Sequence, residues 1–309
     1  MQVLVTGAAG FIGSHFSEAL IARGDSVVGL DAFIDYYPES VKRGNIAKLE
    51  TDPRFSLVEA DLRTAELTSV VEGCDAVVHA AAMPGLPRSW TDFELYSSCN
   101  LTGTQRLADA CRTVGVDKFL HISTSSVYGV DAIGDETAPV RPVSPYGVTK
   151  LAAENLLSAY QAMFELPVSV VRFFSVYGPR QRPDMAWHRF ITAMLADEPV
   201  QIFGDGLQSR SSTYIDDAVS GTLRALDDGG IGEVYNIGGG EVVTVLEAVD
   251  LIAECLQRRP RLVYGPGRPG DQRATRADIG RARRHLGYEP VVGPAEGLSR
   301  QVAWQLARP

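Results

Sequence analysis

The sequence has few of the features that mark secreted, zinc-binding or membrane proteins. Its 309 residues include four cysteines, and none of them forms a CxxC pair. Neither a disulfide framework nor a zinc ribbon is therefore expected, and we interpret the cysteines as small apolar core residues. No apolar run is long enough to span a bilayer. No basic segment precedes the first strand-like residues, so we expect no signal peptide and a cytoplasmic protein.

Positive charge is also scarce. The 29 basic and 38 acidic residues give a formal net charge of −9, and there is no run of lysine and arginine. Proteins that bind nucleic acid usually carry a basic patch, so we expect no nucleic-acid partner. No membrane partner and no metal are expected either. A phosphorylated ligand would need individually placed arginines and lysines.

Strand-like and helix-like segments alternate through the first half of the chain. The strand candidates are nearly continuous apolar runs, as in strands covered on both faces, and this pattern predicts a Rossmann-type doubly wound parallel sheet in an α/β fold. The predicted strands are Val3–Thr6, Ser26–Asp31, Phe55–Glu59, Ala76–His79, Lys118–Ser123 and Val168–Phe173. The predicted helices are Ile12–Ala22, Glu39–Leu49, Ala65–Val71, Asn100–Thr113 and Pro145–Glu165.

After Phe173 the alternation gives way to loops rich in glycine, proline and arginine. Helices Ala186–Leu195 and Val245–Gln257 are predicted in a second lobe, whereas Tyr214–Asp227 has the pattern of a return to the first domain. We therefore predict a larger domain of residues 1–175 plus about 214–240. The smaller C-terminal domain would contain residues 176–213 plus about 241–309.

The first strand runs into a glycine-rich turn with the spacing GxxGxxG. Gly7 permits the tight turn, Gly10 lets the backbone approach a pyrophosphate, and Gly13 lets the helix pack closely on the strand. The helix N-terminus then offers amide donors to phosphates. Asp31 ends the second strand, where its carboxylate can accept from ribose hydroxyls and would repel a 2′-phosphate, which favours NAD over NADP. Asp61 follows the third strand and is expected on the adenine side.

A second constellation combines a Ser/Thr-rich strand end with a Tyr–Lys pair. Tyr146 and Lys150 are four residues apart and therefore share a helix face. A nearby ammonium favours phenolate and lowers the tyrosine pKa from its usual value near ~10, so the tyrosine can exchange a proton with a sugar hydroxyl. Thr124 would hydrogen-bond the same hydroxyl. We predict Thr124, Tyr146 and Lys150 as the catalytic residues.

Together these segments resemble the extended short-chain dehydrogenase/reductase family, in its nucleotide-sugar epimerase and dehydratase branch. The matching motifs are TGAAGFIGSH at 6–15, HAAA at 79–82, NLTGT at 100–104, STSSVYG at 123–129, YGVTK at 146–150, RFFSVYGP at 172–179, YIDDA at 214–218 and YNIGGG at 235–240. The resemblance implies a smaller C-terminal substrate domain, tightly held NAD and transient oxidation at a sugar C4. The predicted cofactor contacts are Gly7, Gly10, Phe11, Ile12, Gly13, Asp31, Asp61, Leu62, Ala80, Ala81, Asn100, Tyr146 and Lys150.

The resemblance also implies where the nucleotide sugar binds. Arg210 and Arg268 resemble the family's diphosphate-binding arginines, whose planar guanidinium groups can donate two hydrogen bonds at once. Asp271 would lie near the nucleoside ribose. The family usually continues Arg-Asp-aromatic-Thr after the first arginine, whereas this chain has Ser211 and Ser212 between Arg210 and Thr213.

Three details select a subgroup. Dehydratases of the family carry an Asp-Glu pair where this chain has Ser125 and Ser126, and decarboxylases carry a glutamate at the second position. The segment from Arg182 to Ala186, together with Ser175, resembles UDP-glucuronate 4-epimerases, as do the segment from Asp31 to Tyr37 and the Lys42-Arg43 pair. The predicted partners of a C6 carboxylate are Ser125, Ser126, Ser175, Arg88 and Arg182.

The expected activity is therefore interconversion of UDP-glucuronate and UDP-galacturonate. A UDP-glucose/UDP-galactose 4-epimerase is the first alternative, followed by a UDP-glucuronate decarboxylase or a 4,6-dehydratase. A non-catalytic NAD-bound regulator would be expected to lack part of the catalytic trio, and a hydroxysteroid-type dehydrogenase would not need the phosphate-binding arginines. The resemblance implies a homodimer that pairs helices Asn100–Thr113 and Pro145–Glu165 of each subunit.

Overall fold

The computed structural model describes residues 1–308, which form one large parallel sheet, several small sheets and surrounding helices. The strands are β1 (Gln2–Thr6), β2 (Ser26–Asp31), β3 (Phe55–Glu59), β4 (Ala76–His79), β5 (Lys118–Thr124), β6 (Asp131–Gly134), β7 (Val168–Phe173), β8 (Val176–Tyr177), β9 (Val200–Phe203), β10 (Ser209–Ser211), β11 (Thr213–Tyr214), β12 (Val234–Ile237), β13 (Val242–Thr244), β14 (Leu262–Gly265) and β15 (Ala274–Ala277).

The helices surround these strands. They are α1 (Phe11–Ala22), α2 (Glu39–Ile46), α3 (Thr68–Val71), α4 (Leu86–Ser89), α5 (Phe93–Ser97), α6 (Gly103–Val114), α7 (Pro145–Phe164), α8 (Ala186–Leu195), α9 (Ile215–Asp228), α10 (Val245–Leu256), α11 (Gly280–Leu286) and α12 (Pro294–Leu306). Among residues 1–308, no helix has both the length and the apolar character needed to cross a membrane.

The large sheet has seven parallel strands in the order β12-β7-β5-β4-β1-β2-β3. This order confirms the predicted doubly wound arrangement, because the chain moves outward from β1 in one direction and then from β4 in the other. The crevice at such a reversal lies at the carboxyl ends of the strands and is where ligands bind in folds of this type. Here it lies between β1 and β4.

Side chains of successive strand residues point to opposite faces of the sheet, and both faces are covered. Val3 and Val5 of β1 belong to a core shared with Phe16 of α1, whereas Leu4 belongs to a second core shared with Leu107 of α6. All three β1 residues have no exposed surface. Because both faces of the sheet are covered, the sequences of these strands are nearly continuous apolar runs.

The second lobe contains the small sheets. Its four-stranded sheet has the order β13-β10-β15-β6, and two further pairs are β8 with β11 and β9 with β14. None of these short strands was predicted from the sequence. Strand β6 is contributed by the segment between β5 and α7, so the loop that precedes α7 also holds the lobe to the large sheet. Strand β12 pairs with β7 at the edge of the large sheet.

Three helices have a boundary that differs by three residues from the predicted one. Helix α6 begins at Gly103, after a wider π-type turn over Ser98–Thr102, so Asn100 lies in that turn. Helix α2 ends at Ile46 and is followed by a short 3-10 turn at Leu49–Thr51. Helix α3 begins only at Thr68, because the Glu66 carboxylate accepts hydrogen bonds from the first amides of that turn.

Candidate active site

A cleft that is partly open to solvent lies at the carboxyl ends of β1, β2, β4 and β5. The predicted cofactor residues that line it are Gly7, Gly10, Phe11, Ile12, Gly13, Asp31, Asp61, Leu62, Ala80, Ala81, Tyr146 and Lys150. Asn100 lies outside this lining. Its side-chain amide bonds the backbone of Met83 at 2.7 and 3.1 Å and the Thr149 hydroxyl at 3.0 Å, so it fastens the segment after β4 to α7.

The glycine-rich turn at one end of the cleft leaves no room for side chains. A Cβ on Gly13 would lie 2.1 Å from the Gly7 carbonyl oxygen. Gly7 has φ +70°, and a Cβ there would lie 2.9 Å from the Ala81 backbone. Helix α1 therefore approaches the end of β1 closely, with its N-terminus directed at the cleft. These residues fit the pyrophosphate of a dinucleotide.

Asp31 is held in a fixed orientation at the end of β2. Its two carboxylate oxygens accept from the backbone N–H groups of Ala9 at 3.0 Å and Phe33 at 2.9 Å. Burial raises the pKa of Asp31, and these two bonds act in the opposite direction. Each oxygen keeps a second acceptor position, so the carboxylate can also receive ribose hydroxyls. Asp61 lies nearby and pairs with Arg63 at 2.6 Å, which lowers the pKa of Asp61.

The predicted catalytic residues meet on the wall of the same cleft. Thr124 ends β5, and Tyr146 and Lys150 lie in the first two turns of α7. This helix starts with Pro145, and the Ser144 hydroxyl caps it by accepting from the Gly147 N–H at 3.1 Å. A side-chain cap and an N-terminal proline both favour a helix start at this position, which fixes the direction of the tyrosine.

The electrostatic surroundings of Tyr146 differ from the expectation. Burial raises the pKa of Tyr146, while the charge of Arg182 and a hydrogen bond with Thr124 act in the opposite direction. Arg182, which was predicted as a carboxylate partner, is therefore also a cation that favours the phenolate. The Nζ of Lys150 instead lies 3.2 Å from the Nε2 of His121. Burial lowers the pKa of Lys150 to about 8, against the opposing charge of Glu154.

Arg182 and Ser175 also line the cleft. The guanidinium of Arg182 is oriented by Asp184, with Nε–Oδ1 at 2.9 Å and Nη2–Oδ2 at 3.1 Å. It lies over the ring of Tyr36, whose hydroxyl donates to Asp184 at 3.2 Å. Tyr36 and Asp184 were not predicted as site residues, although both fall in segments that resemble UDP-glucuronate 4-epimerases.

The other predicted carboxylate partners lie outside the lining of the cleft. Arg88 bonds Asp92 and the Asp35 carbonyl oxygen. Ser126 accepts from the Thr124 hydroxyl at 3.2 Å and therefore borders the catalytic threonine. The buried Ser125 hydroxyl donates at 3.3 Å to Gln272 of the second lobe, which was not predicted as a site residue.

The remaining predicted substrate residues form a group in the second lobe. The guanidinium of Arg268 lies 3.5 Å from the ring centroid of Phe203. Burial raises the pKa of Asp271, and the charges of Arg210 and Arg268 act in the opposite direction. Arg189 of α8 also stacks on Phe203, at 5.8 Å. This group was predicted without Arg189 and Phe203. Two arginines on one aromatic ring, together with Arg210 near Asp271, are suited to a diphosphate and a nucleoside.

The fold and this site define a class of protein. A doubly wound parallel sheet, a GxxGxxG turn that leads into α1 and a Ser/Thr–Tyr–Lys set on β5 and α7 are the features of the extended short-chain dehydrogenases/reductases. The model of the NAD dependent epimerase/dehydratase family matches residues 3–238, and the chain belongs to this family.

Several relatives cover almost the whole chain. A crystal structure of the UDP-glucuronic acid 4-epimerase from Bacillus cereus, in complex with UDP-glucuronic acid and NAD, has a TM-score of 0.96 and 44% identity, over 99% of this chain and 100% of that one. A Bacillus subtilis protein named as an uncharacterized UDP-glucose epimerase, YtcB, is 44% identical over 98% of both chains. The UDP-glucuronate 4-epimerase of Thermodesulfobacterium geofontis is 36% identical over 97% of this chain and 95% of its own.

Proposed function

We propose that the protein is an NAD-dependent UDP-sugar 4-epimerase that interconverts UDP-glucuronate and UDP-galacturonate through a transient 4-keto intermediate. The position of Arg182 carries this proposal, because its guanidinium lines the same cleft as Tyr146 and is close enough to lower the pKa of that phenol. A fixed guanidinium beside the reacting hydroxyl suits a substrate that carries a carboxylate at the adjacent end of its sugar ring. Two of the relatives above act on that substrate.

In this proposal, each of the following residues has a separate role. Tyr146 takes the proton of the C4 hydroxyl and later returns it, and Thr124 orients that hydroxyl. The ammonium of Lys150 holds a positive charge under the cofactor site. Bound NAD⁺ supplies the hydride acceptor. The glycine-rich turn and Asp31 would hold its pyrophosphate and adenosine ribose, with Asp61 on the adenine side.

A 4-keto uronate readily loses CO₂ when the bond to its carboxylate aligns with the ketone π system. The enzyme must therefore hold the carboxylate in another orientation. Arg182 is suited to this, since Asp184 and the ring of Tyr36 fix its plane. Ser175 and Ser126 would add neutral donors. The residues at positions 125 and 126 are serines, so the acidic groups of dehydratases and decarboxylases are missing there.

The second lobe would bind the rest of the substrate. Arg210 and Arg268 are proposed to hold the diphosphate, and Asp271 the nucleoside ribose. In this proposal, residues 1–175 plus about 214–240 form the cofactor domain, and residues 176–213 plus about 241–309 form the substrate domain. We also propose a homodimer, formed by α6 and α7 of the two subunits.

One observation favours a second candidate, a UDP-glucose/UDP-galactose 4-epimerase. The charge of Arg182 is already balanced by Asp184, so a sugar with a neutral C6 hydroxymethyl group would leave no unpaired charge in the cleft. The Bacillus subtilis relative carries a name of this kind.

Product analysis distinguishes the two candidates. The purified protein is incubated with UDP-glucuronate and, in parallel, with UDP-glucose, and the products are identified by NMR. We expect UDP-galacturonate without UDP-pentose. Formation of UDP-galactose alone would assign the second candidate, and no turnover of either substrate would contradict both.

A further inference from the structure

The ammonium of the proposed catalytic lysine has an unusual partner. Lys150 Nζ lies 3.2 Å from the Nε2 atom of His121, which is in the middle of β5 on the sheet face covered by α7. His121 is fully buried and Lys150 is 2% exposed. Within residues 1–308, this imidazole nitrogen is the protein atom to which the lysine is hydrogen-bonded. The partner belongs neither to the catalytic trio nor to the glycine-rich turn.

The contact fixes the state of the imidazole. A lysine ammonium can only donate, so Nε2 must be the unprotonated nitrogen and Nδ1 must carry the ring proton. Burial and the charge of Lys150 hold the pKa of His121 well below its usual value, so the ring is neutral. Nδ1 is buried and has no hydrogen-bond partner among the described residues. A buried donor without a partner is costly, and such a group needs an explanation.

Among the described residues, His121 is the group hydrogen-bonded to Nζ, and the charge of Glu154 also favours the protonated amine. On β4, the ring centroid of His79 lies 5.3 Å from that of His121. Both ring nitrogens of His79 are already hydrogen-bonded, to the hydroxyls of Thr6 at 2.8 Å and Thr104 at 2.9 Å. On α7, Glu154 is the carboxylate nearest in sequence to the lysine, and it pairs with Arg172 of β7 at 2.6 Å.

The other titratable group of α7 near the lysine is Tyr146, which burial keeps neutral in the resting protein. The charge of Arg182 acts on Tyr146 from the loop that precedes α8. On α6, the group that faces the two histidines is the Thr104 hydroxyl. No carboxylate is therefore free to pair with the lysine within the described part of the chain.

We propose that His121 is a positioning residue for Lys150, which accepts a hydrogen bond from Nζ, directs the amine to the wall of the cleft and keeps it protonated. The proposal rests on the proposed role of Lys150 in the cofactor site. Without the imidazole acceptor, a buried amine would lose its proton more easily, because burial penalises only the charged form. The amine would then lose both its charge and its fixed direction.

Variants at position 121 test this proposal in the holoenzyme. His121→Leu removes the acceptor, and His121→Gln retains an acceptor at about the position of Nε2. His79→Leu is the matched control, because it removes an equally buried imidazole that does not contact the lysine.

Turnover should fall at high pH as Lys150 loses its proton. We expect His121→Leu to lower the midpoint of this fall by about one pH unit, a tenfold change in proton affinity. His121→Gln should restore most of the shift, and His79→Leu should leave the midpoint in place.

A second readout needs no substrate. The pKa of Lys150 is about 8 when folded, below its ordinary value of 10.5, so the unfolded chain binds more protons between these values and stability rises with pH in that window. In His121→Leu, the pH range over which stability rises should begin about one unit lower than in the wild type. Urea unfolding from pH 6 to 10 measures this range. In a Lys150→Met background, the same substitution should not change the pH dependence.

The two readouts separate the possible failures. An inactive wild-type protein would contradict the proposed function, while the unfolding series would still report on the pair. Unchanged pH dependence in both His121 variants would overturn the proposal, and so would an equal shift in His79→Leu. If His121→Leu does not fold, His121→Met replaces it, with the same expected shift.

Discussion

Arg182 has a carboxylate partner before any substrate arrives. Asp184 occupies its Nε and Nη2 positions, and Tyr36 supports both side chains. A uronate substrate would bring a second carboxylate to the same guanidinium. Two carboxylates around one arginine repel each other, so Asp184 both orients the guanidinium and weakens its preference for an acidic sugar.

Asp184→Asn tests this balance. The asparagine keeps an oxygen for Arg182 but removes the negative charge. At about 5 Å and an effective dielectric constant near ~20, the repulsion is roughly 3 kcal/mol, part of which solvent would screen. We expect the ratio of kcat/KM for UDP-glucuronate over UDP-glucose to rise about tenfold or more. Asp52→Asn is the matched control, because Asp52 pairs with Arg54 at the same spacing on the surface. An unchanged ratio in Asp184→Asn would contradict the interpretation.

Tyr146→Phe removes the proposed acid–base group and little else. Loss of a general base typically costs roughly 10²- to 10⁴-fold in rate, so turnover should fall by at least ~10²-fold. The content of bound NAD and the thermal stability should remain close to those of the wild type. Absorbance at 340 nm after mixing with substrate should also stay flat. Tyr96→Phe serves as the control, since its ring lies 6.4 Å from that of Tyr146 while its hydroxyl donates to the Pro84 carbonyl. Retained turnover in Tyr146→Phe would remove the tyrosine from the mechanism.

The junction of β1 and α1 depends on the absence of a side chain. A Cβ at position 13 would meet the Gly7 carbonyl at 2.1 Å, so Gly13→Ala must push the helix away from the strand. We expect loss of bound NAD after gel filtration, measured from the ratio of absorbance at 260 and 280 nm. Gly44→Ala in α2 is the matched control, because nothing lies within 4 Å of its added Cβ. It should retain NAD and gain up to about 1 kcal/mol in stability. Normal NAD content in Gly13→Ala would show that the close packing is not required.

The large sheet could be predicted because each of its strands is covered on both faces. The apolar run of β1, for example, reports the burial of Val3, Leu4 and Val5 directly. The short strands of the second lobe could not be predicted. Strand β10, Ser209–Ser211, is a polar tripeptide whose extended conformation is held by hydrogen bonds to β13 and β15. Those partners lie more than thirty residues further along the chain, so no local pattern reports them.

The residues of the candidate site can be divided in the same way, into those that local sequence predicts and those that depend on distant contacts. The glycine-rich turn and the Tyr146–Lys150 pair depend on local spacing, and the structure brings them to one cleft. The contact of His121 with Lys150 and that of Ser125 with Gln272 join residues 29 and 147 positions apart. Contacts over such distances depend on the fold, and the residue types alone do not indicate them. The electrostatic role of Arg182 near Tyr146 was missed for this reason.

A buried polar network connects helix α7 to the second lobe. Glu154 of α7 pairs with Arg172 of β7, whose Nη1 donates to the Tyr128 hydroxyl at 2.9 Å. That hydroxyl donates to Asn236 of β12 at 2.7 Å, and the Asn236 amide donates to the carbonyl oxygens of Gly134 and Asp278. The network crosses from the large sheet to the small one, so the two parts of the candidate site are held in a fixed relative position by side chains that do not line the cleft.

The exposed face of α7 leads to the last prediction, on assembly. Val148, Ala152, Ala159 and Met163 lie on one side of the helix, opposite Lys150, and Met163 is 74% exposed. A self-complementary face of this kind is the usual basis of a two-fold dimer. Small alanines let the paired helices approach closely, so Ala159→Arg should force them apart. We expect sedimentation velocity to show a dimer for the wild type and a monomer of 33.4 kDa for Ala159→Arg. Ala303→Arg, at an exposed alanine of α12, should remain dimeric. A wild-type monomer would contradict the dimer itself, whereas a dimeric Ala159→Arg variant would place the interface elsewhere.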